Sequence, residues 1–236
     1  MDDRSTIGKE PKVFVVDNDL ATRKSLAWML ESSGLQVETF ETAEEFRAAC
    51  KPEQPGCLVL DVRLPGISGV ALQEELESLG IELPVIIITG YADVRTAVHV
   101  LKRGAFDFLE KPLHDELLLE RIQAAIAVDA KRRETQAERD RVAARLACLT
   151  AREREVFQQV VHGKANKVVA IEFGISEKTV EAHRARVMHK LGADSLAELV
   201  RIDLLVSLLD AQRSAYMGVA AAVAWAGRGT EARATA

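Results

Sequence analysis

The 236-residue sequence is poor in cysteine and contains no long apolar run. Its cysteines, Cys50, Cys57 and Cys148, stand far apart with no CxxC pair and no histidine cluster, which argues against a disulfide framework and a zinc site. The start, MDDRSTIGKE, lacks the apolar core of a signal peptide, and no run reaches the roughly 18 apolar residues of a membrane span. We therefore expect a soluble cytoplasmic protein with buried, reduced cysteines and no membrane contact.

Hydrophobic residues make up 48% of the chain, which excludes a disordered protein and is enough for two globular domains. The charge is distributed unevenly. Residues 1–128 contain 13 Lys and Arg against 22 Asp and Glu, whereas residues 129–201 contain 15 against 11. An acidic first half and a mildly basic second half indicate different functions, with any nucleic-acid contact in the second half.

Short apolar runs alternate with amphipathic segments over the first half of the chain. The candidate strands are KVFVV, QVETF, CLVLD, PVIIIT and FDFL, and a candidate helix follows each of them. This alternation predicts a doubly wound α/β domain, with a parallel five-stranded sheet covered on both faces. Such folds bind ligands outside the carboxyl ends of their strands, so the residues directly after each run are the candidate site.

Polar side chains stand at four of these strand ends. They are Asp17, Asn18, Asp19, Asp61, Thr89 and Lys111. Carboxylate and amide oxygens are suitable ligands for Mg²⁺, and a metal ion, an ammonium and a hydroxyl together offset the charge of a phosphoryl group that moves onto a carboxylate. A capping or turn role explains any one of these Asp residues, but it does not explain the whole set in this order.

Four motifs within residues 12–127, VVDND, LVLDVRLPGISG, ITGYADV and GAFDFLEKP, resemble the landmarks of a response regulator receiver domain in order and spacing. The resemblance assigns a receiver domain to residues 10–128 and implies that Asp61 is the phosphorylation site. It also implies that Thr89 and Lys111 contact the phosphoryl group. The ligands that it implies for Mg²⁺, or Mn²⁺, are Asp17, Asn18, Asp61 and the backbone carbonyl of Arg63.

The same resemblance implies how the domain switches. Phe108 matches the aromatic residue that moves together with Thr89 on phosphorylation and changes the face formed by the fourth helix and fifth strand. The Lys111–Pro112 peptide is expected to be cis. Asn18 stands where the family usually has a second Asp, so the pocket has one negative charge fewer and a weaker metal affinity is expected, with Asp19 as a further oxygen donor.

The segment KRRETQAERDRVAARLACL contains no Gly or Pro and predicts a helical linker over residues 129–148. Its apolar positions, Val142, Leu146 and Leu149, fit either a solvated single helix or a signal-transmitting coiled coil, because they cover too few heptads to decide. Beyond residue 207, the Ala- and Gly-rich tail 208–236 is expected to be frayed or disordered, with a weak helix in GVAAAVAWAG.

Residues 149–207 contain four candidate helices, separated by HGKAN, FGIS and LGADS. Gly174 permits a tight turn and Ser176 is a helix cap, after which Val180, Val187 and Leu191 form one apolar face. The polar side chains on the other faces suit phosphates and base edges of a major groove. These are Lys178, Thr179, His183, Arg184, Arg186 and Lys190. Judged by charge alone, these residues fit a solvated basic face on an ordinary helical bundle as well as they fit a DNA-binding surface.

The motifs LTAREREV, NKVVAIEFGIS and EKTVEAHRARVMHKLG resemble the LuxR-type helix-turn-helix. The resemblance implies a scaffold helix at Lys167–Phe173, a recognition helix at Glu177–Lys190, and a last helix, Ser195–Ser207, that pairs two subunits on DNA. With the receiver domain, the chain is similar to NarL/FixJ-type response regulators of the FixJ-like branch over roughly residues 12–206.

This resemblance implies a transcription factor and not an enzyme, apart from slow autophosphorylation from small donors and autodephosphorylation. The partners that it implies are a sensor histidine kinase, promoter DNA, RNA polymerase and a second copy of the chain. The segment DNDLA also echoes the DxDxT motif of haloacid-dehalogenase-like phosphatases, but Ala21 replaces the expected residue and Asp61 is left unexplained. A receiver that acts through protein or RNA contacts would require C-terminal helices without base-reading residues.

Overall fold

The computed structural model describes residues 9–90, 94–205 and 207. The chain divides into two compact units, Met1–Glu134 and Thr135–Ala236, so the division falls inside the predicted linker 129–148. None of the helices formed by the described residues has the length and apolar character needed to cross a membrane. The predicted tail, 208–236, lies outside the described residues.

The first unit contains a parallel sheet of five strands in the order β2-β1-β3-β4-β5, which confirms the predicted fold class. The strands are β1 Lys12–Val16, β2 Gln36–Phe40, β3 Gly56–Asp61, β4 Val85–Thr89 and β5 Asp107–Glu110. The helices that follow them are α1 Leu20–Ser32, α2 Ala43–Ala49, α3 Gly69–Leu76, α4 Val94–Lys102 and α5 Asp115–Ala147.

The central strands are buried on both faces because helices cover the two sides of the sheet. Successive strand residues point to opposite faces. Phe14 and Leu58 therefore lie in one core, and Val15 and Val59 lie in the other. The first core includes a cluster of three rings, in which Phe46 from α2 packs edge-on against Phe14 and Phe40 with centroid distances of 5.6 and 5.7 Å.

The register of the sheet brings the carboxyl ends of its strands to one edge. Val16 lies opposite Leu60, so Asp17 and Asp61 emerge side by side from β1 and β3. Strand order reverses between β1 and β3, since β2 lies on one side of β1 and β3 lies on the other. This is the position at which doubly wound sheets form ligand crevices.

Gly69 allows α3 to begin directly against the end of β3. A Cβ added at Gly69 would overlap the backbone carbonyl oxygen of Asp61, and the Gly69 amide donates to the Val62 carbonyl at 3.1 Å. A larger residue would therefore force the Asp61 backbone or the start of α3 to move.

Helix α5 continues without interruption through the segment that we predicted as a separate linker. Asp129, which is only 1% exposed, accepts hydrogen bonds from the Gly56 amide at 3.0 Å and from Arg132 and Arg133 at 2.7 and 2.8 Å. Arg133 also donates to the Gln54 carbonyl at 2.8 Å. The first unit therefore extends at least one helical turn beyond residue 128.

Over the residues that the structure describes, the second unit contains the end of α5 and four further helices. These are α6 Ala151–Val161, α7 Asn166–Phe173, α8 Glu177–Leu191 and α9 at residues 196–205. Val142, Leu146 and Leu149 are buried in its core with Val156 and Leu191. Neither a solvated helix nor a coiled coil describes these apolar positions, because packing within the unit already covers them.

The expectation that all three cysteines are buried is wrong for Cys148, which is exposed after the end of α5. Cys50 and Cys57 are buried. Burial raises the pKa of Cys50 to about 11 and the pKa of Cys57 to about 12. Both buried thiols are therefore protonated and unreactive at neutral pH.

We predict that Phe46→Ala destabilises the first unit by about 3–5 kcal/mol, because it removes a fully buried ring from the aromatic cluster and leaves a cavity. Leu20→Ala, at a side chain that is half exposed, is the control and should cost under about 1 kcal/mol. Urea unfolding followed by hydrogen–deuterium exchange of peptides from residues 9–90 reports on this unit. Equal midpoints for the two variants would contradict the prediction.

Candidate functional site

The Asp17 and Asp61 carboxylates share one ammonium group. Lys111 Nζ donates to Asp17 Oδ2 and to Asp61 Oδ2, each at 2.6 Å. Asp17 is fully buried and Asp61 is 5% exposed, so both charges lie in a region from which water is largely excluded. The structure therefore brings together three residues from the predicted set, although 94 positions separate Asp17 from Lys111 in sequence.

Backbone contacts fix the groups around Asp61. Asp61 Oδ1 accepts the Arg63 amide at 3.0 Å, and the Lys111 amide donates to the Thr89 carbonyl at 2.8 Å. Thr89 is 1% exposed, and the Lys111–Pro112 peptide bond is cis. Thr89 and Lys111 thus stand at the ends of β4 and β5 on the same edge of the sheet as Asp61.

The charge balance keeps Lys111 protonated. Partial burial lowers the pKa of Lys111, but its hydrogen bonds to Asp17 and Asp61, together with their negative charges, outweigh that effect and raise the pKa above its ordinary value. Two carboxylates and one ammonium leave a net charge of about −1, which favours a further cation at this position.

Asp19 is used as the cap of α1. Its carboxylate accepts the Ala21 amide at 3.2 Å, the Thr22 amide at 3.1 Å and the Thr22 hydroxyl at 2.6 Å. The bond from the Thr22 hydroxyl, followed by the two amides, lowers the pKa of Asp19. The Asp19 carboxylate is therefore committed to the helix start, whereas the neighbouring Asn18 is exposed.

Arg23 is a site residue that our sequence analysis missed. The residue is buried, and its Nη1 donates to the Asp17 carbonyl at 2.6 Å. The signal in the sequence is its position, since Arg23 lies on the same face of α1 as the buried Leu26 and Leu30. A charged residue at a core-facing position of a helix indicates a buried polar contact.

The residues at this edge fit a hard divalent cation. The Asp17 and Asp61 carboxylates lie close together on either side of the Lys111 ammonium, and Asn18 adds an amide at the end of β1. Mg²⁺ takes few protein ligands and completes its shell with water or phosphate. Within the described part of the chain, no group of three His, Cys, Asp or Glu side chains is arranged to hold a metal ion, so a cation would depend on Asn18 or backbone oxygens as well.

Phe108 lies on β5 opposite Ile87 of β4, two residues before Thr89 in that strand. Its ring is half-buried and packs against the core that contains Phe14 and Leu60. Phe108 therefore lies next to the strand that carries Thr89.

The second unit places a polar helix surface where the sequence predicted one. Gly174 adopts a left-handed conformation with φ 65°, and the Ser176 hydroxyl accepts the Thr179 amide at 3.1 Å to start α8. Val180, Val187 and Leu191 are buried, which confirms the predicted apolar face. The predicted DNA-facing side chains are exposed at Lys178, Thr179 and Arg186 and half-buried at His183, Arg184 and Lys190.

Lys190 has an internal partner that the sequence did not reveal. Its ammonium donates to Glu153 Oε2 at 2.6 Å and to the Cys148 carbonyl at 3.1 Å. Glu153, which is 3% exposed, also accepts the Thr150 amide at 2.9 Å. Because this cluster ties the end of α8 to the start of α6, we leave Lys190 out of the proposed DNA contacts.

Comparison with known proteins finds a matching family model for each of the two units. Residues 13–123 match the response regulator receiver domain, and residues 147–202 match the bacterial regulatory proteins of the luxR family. The transcriptional regulatory protein FixJ of Azorhizobium caulinodans is 46% identical over 84% of this chain and 94% of its own length. The chain belongs to the NarL/FixJ family of response regulators. The transcriptional regulatory protein TdiR of Thauera aromatica is 42% identical over 82% of this chain and 85% of its own length.

Solved structures give this NarL/FixJ-family regulator the same architecture. The low-resolution structure of the response regulator StyR matches with a TM-score of 0.78 at 42% identity, covering 82% of this chain and 98% of StyR. Full-length FixJ from B. japonicum matches with a TM-score of 0.52 at 38% identity, covering 85% and 99%. The chain is thus a two-component response regulator that acts as a DNA-binding transcription factor.

We predict that the Glu153–Lys190 pair makes the second unit acid-sensitive. The hydrogen bonds from Lys190 and then from Thr150 lower the pKa of Glu153 from 4.5 to about 2. A carboxylate whose pKa is lowered in the folded state stabilises the folded unit. This stabilisation is complete above pH 4.5 and is lost as pH falls from 4.5 towards 2.

Calorimetric melting of wild type and Glu153→Gln tests this prediction. The difference between their melting temperatures should be constant above pH 5 and shrink below pH 4.5, with Glu155→Gln, at a more exposed side chain, as the control. If the difference in melting temperature between wild type and Glu153→Gln does not change with pH, the lowered pKa of Glu153 is contradicted.

Proposed function

We propose that Asp61 accepts a phosphoryl group from a phosphohistidine of a sensor histidine kinase. An oxygen of the Asp61 carboxylate forms a bond to phosphorus as the bond between phosphorus and the histidine nitrogen breaks, and the imidazole leaves with the electron pair and takes up a proton from solvent. The same carboxylate is open to small donors such as acetyl phosphate, and hydrolysis of the acyl phosphate resets it.

The shared Lys111 ammonium is the observation that carries this proposal. Lys111 already bonds Asp61 Oδ2 at 2.6 Å, so its positive charge is in place next to the attacking group before any phosphoryl group arrives. A preorganised cation stabilises the charge of the transferring phosphoryl group without further rearrangement. Thr89 stands beside it at the end of β4 as a hydroxyl donor.

We further propose Mg²⁺, or Mn²⁺, as the cation of the site, held by Asp17, Asn18, Asp61 and the backbone carbonyl of Arg63. When bound, it neutralises charge on the phosphoryl oxygens. Asn18 contributes no charge, so the protein ligands supply two negative charges, and affinity is expected to be lower than for a site with three carboxylates.

Phosphorylation is proposed to act through Thr89 and Phe108 on the face formed by α4 and β5. The exposed apolar side chains Val94, Val98 and Leu101 lie on α4 and give that face the character of an association surface. A homodimer formed there would pair two second units on a two-fold related promoter site in the cytoplasm and recruit RNA polymerase.

For the DNA contact we propose α8 as the recognition helix. Lys178 and Thr179 stand at its N-terminal end, where recognition helices of this type touch base edges. His183, Arg184 and Arg186 lie further along, and their positive or polar side chains suit phosphates.

We predict that Asp61→Asn abolishes acyl-phosphate formation and the phosphodonor-dependent gain in DNA binding. Intact mass and band-shift assays after incubation with Mg²⁺ and acetyl phosphate measure both. Glu53→Gln, the same carboxylate-to-amide change at an exposed position before β3, is the control and should behave as wild type. Donor-dependent binding that survives in Asp61→Asn would contradict the mechanism.

We predict that Arg184→Ala weakens binding to all DNA sequences and lowers the salt slope by about one for each phosphate that the protein no longer neutralises. Lys178→Ala and Thr179→Ala should instead change sequence preference, with a cost of about 1–3 kcal/mol on the preferred site. Lys51→Ala, an exposed basic residue of the first unit, is the control. Circular dichroism is needed for Arg184→Ala, since Arg184 also donates to Asn166 at 3.3 Å. Unchanged DNA binding in all three variants would contradict α8 as the DNA-binding surface.

A further inference from the structure

Arg23 is a buried cation next to the proposed metal site, and the two hydrogen bonds of its guanidinium go to residues outside α1. Its side chain is 9% exposed. Burial of a guanidinium is costly unless its donors are satisfied, and Arg23 satisfies them on the Asp17 carbonyl at 2.6 Å and on Glu41 Oε2 at 3.2 Å. The two acceptors follow β1 and β2, so one side chain of α1 joins the ends of two neighbouring strands.

Asp17 is held at four points. Its amide donates to the Phe40 carbonyl at 3.2 Å, its Oδ1 accepts the Asp19 amide at 2.9 Å, and its Oδ2 accepts Lys111. The fourth contact, from Arg23 to the Asp17 carbonyl, restrains the peptide that joins Asp17 to Asn18. Loss of Arg23 would free that peptide to rotate and would leave a buried carbonyl without its charged donor.

We propose that Arg23 is a positioning residue for the cation site: by fixing the Asp17–Asn18 peptide, it aims the Asp17 carboxylate and the Asn18 amide at a divalent cation. Arg23 itself does not touch the cation or the phosphoryl group. The inference rests on the proposed phosphorylation of Asp61. Groups that orient metal ligands in this way commonly change metal affinity by about 10–100-fold when they are removed.

A set of matched variants tests this role. Arg23→Met keeps the apolar stem and removes both hydrogen bonds. Arg23→Lys keeps one charged donor, and Glu41→Gln removes the ion pair but leaves the bond to the Asp17 carbonyl. Lys24→Met, the same change of charge at the adjacent exposed position of α1, is the control.

The first measurement is Mn²⁺ binding to the unphosphorylated full chain, followed by electron paramagnetic resonance. Arg23→Met should bind Mn²⁺ about tenfold more weakly, Arg23→Lys should recover part of the loss, and Lys24→Met should match wild type. The second measurement is the rate of phosphorylation by acetyl phosphate as a function of Mg²⁺ concentration. Arg23→Met should raise the Mg²⁺ concentration at half-maximal rate and leave the rate at saturating Mg²⁺ close to wild type.

Unchanged Mn²⁺ affinity in Arg23→Met, an equal loss in Lys24→Met, or a lower rate at saturating Mg²⁺ with no change in Mg²⁺ dependence would each overturn the inference. If Arg23→Met does not fold, Arg23→Lys decides: a Mn²⁺ affinity equal to that of wild type overturns the inference. Glu41→Gln, which keeps the bond to the Asp17 carbonyl, should match wild type. A wild type that takes no phosphoryl group would contradict the proposed function alone, because the Mn²⁺ affinities remain measurable.

Discussion

The buried carboxylates of Asp17 and Asp61 repel each other at one edge of the sheet. The Lys111 ammonium lies between them and offsets that repulsion. The arrangement constrains the fold around it. Asp17 and Asp61 must follow adjacent strands, and Lys111 must reach them from β5, on the far side of β4. The strand order brings the three residues to one edge of the sheet, and the absence of a side chain at Gly69 lets α3 begin directly against Asp61.

Buried charges hold the backbone at three other places. Arg23, Asp129 and Glu153 are buried side chains on helices, and each contacts a backbone group that lies outside its own helix. Arg23 holds the end of β1, Asp129 holds the start of β3, and Glu153 holds the turn before α6. The ion pair of such a buried charge adds little to the stability of the fold. Its hydrogen bond to the backbone fixes the position of a segment that apolar packing alone would not fix.

The sequence predicted what depends on local pattern. The strands, the turn at Gly174 and the residues at the strand ends could be read from apolar runs and from motifs with fixed spacing. The partners of Arg23 and Lys190 could not, because 18 and 37 positions separate them from Glu41 and Glu153 and only the folded chain brings them together. The burial of Val142 could not be predicted for the same reason, because the side chains that cover it come from helices later in the chain.

The unequal burial of the cysteines makes this regulator easy to label at one point. Cys50 and Cys57 are shielded and protonated, whereas Cys148 is exposed, so a maleimide or nitroxide reagent has a single natural attachment position. The carbonyl of the same residue accepts Lys190 from the end of α8. A spectroscopic reporter on Cys148 would therefore sit at the base of the helix that we assign to DNA, without any engineered cysteine.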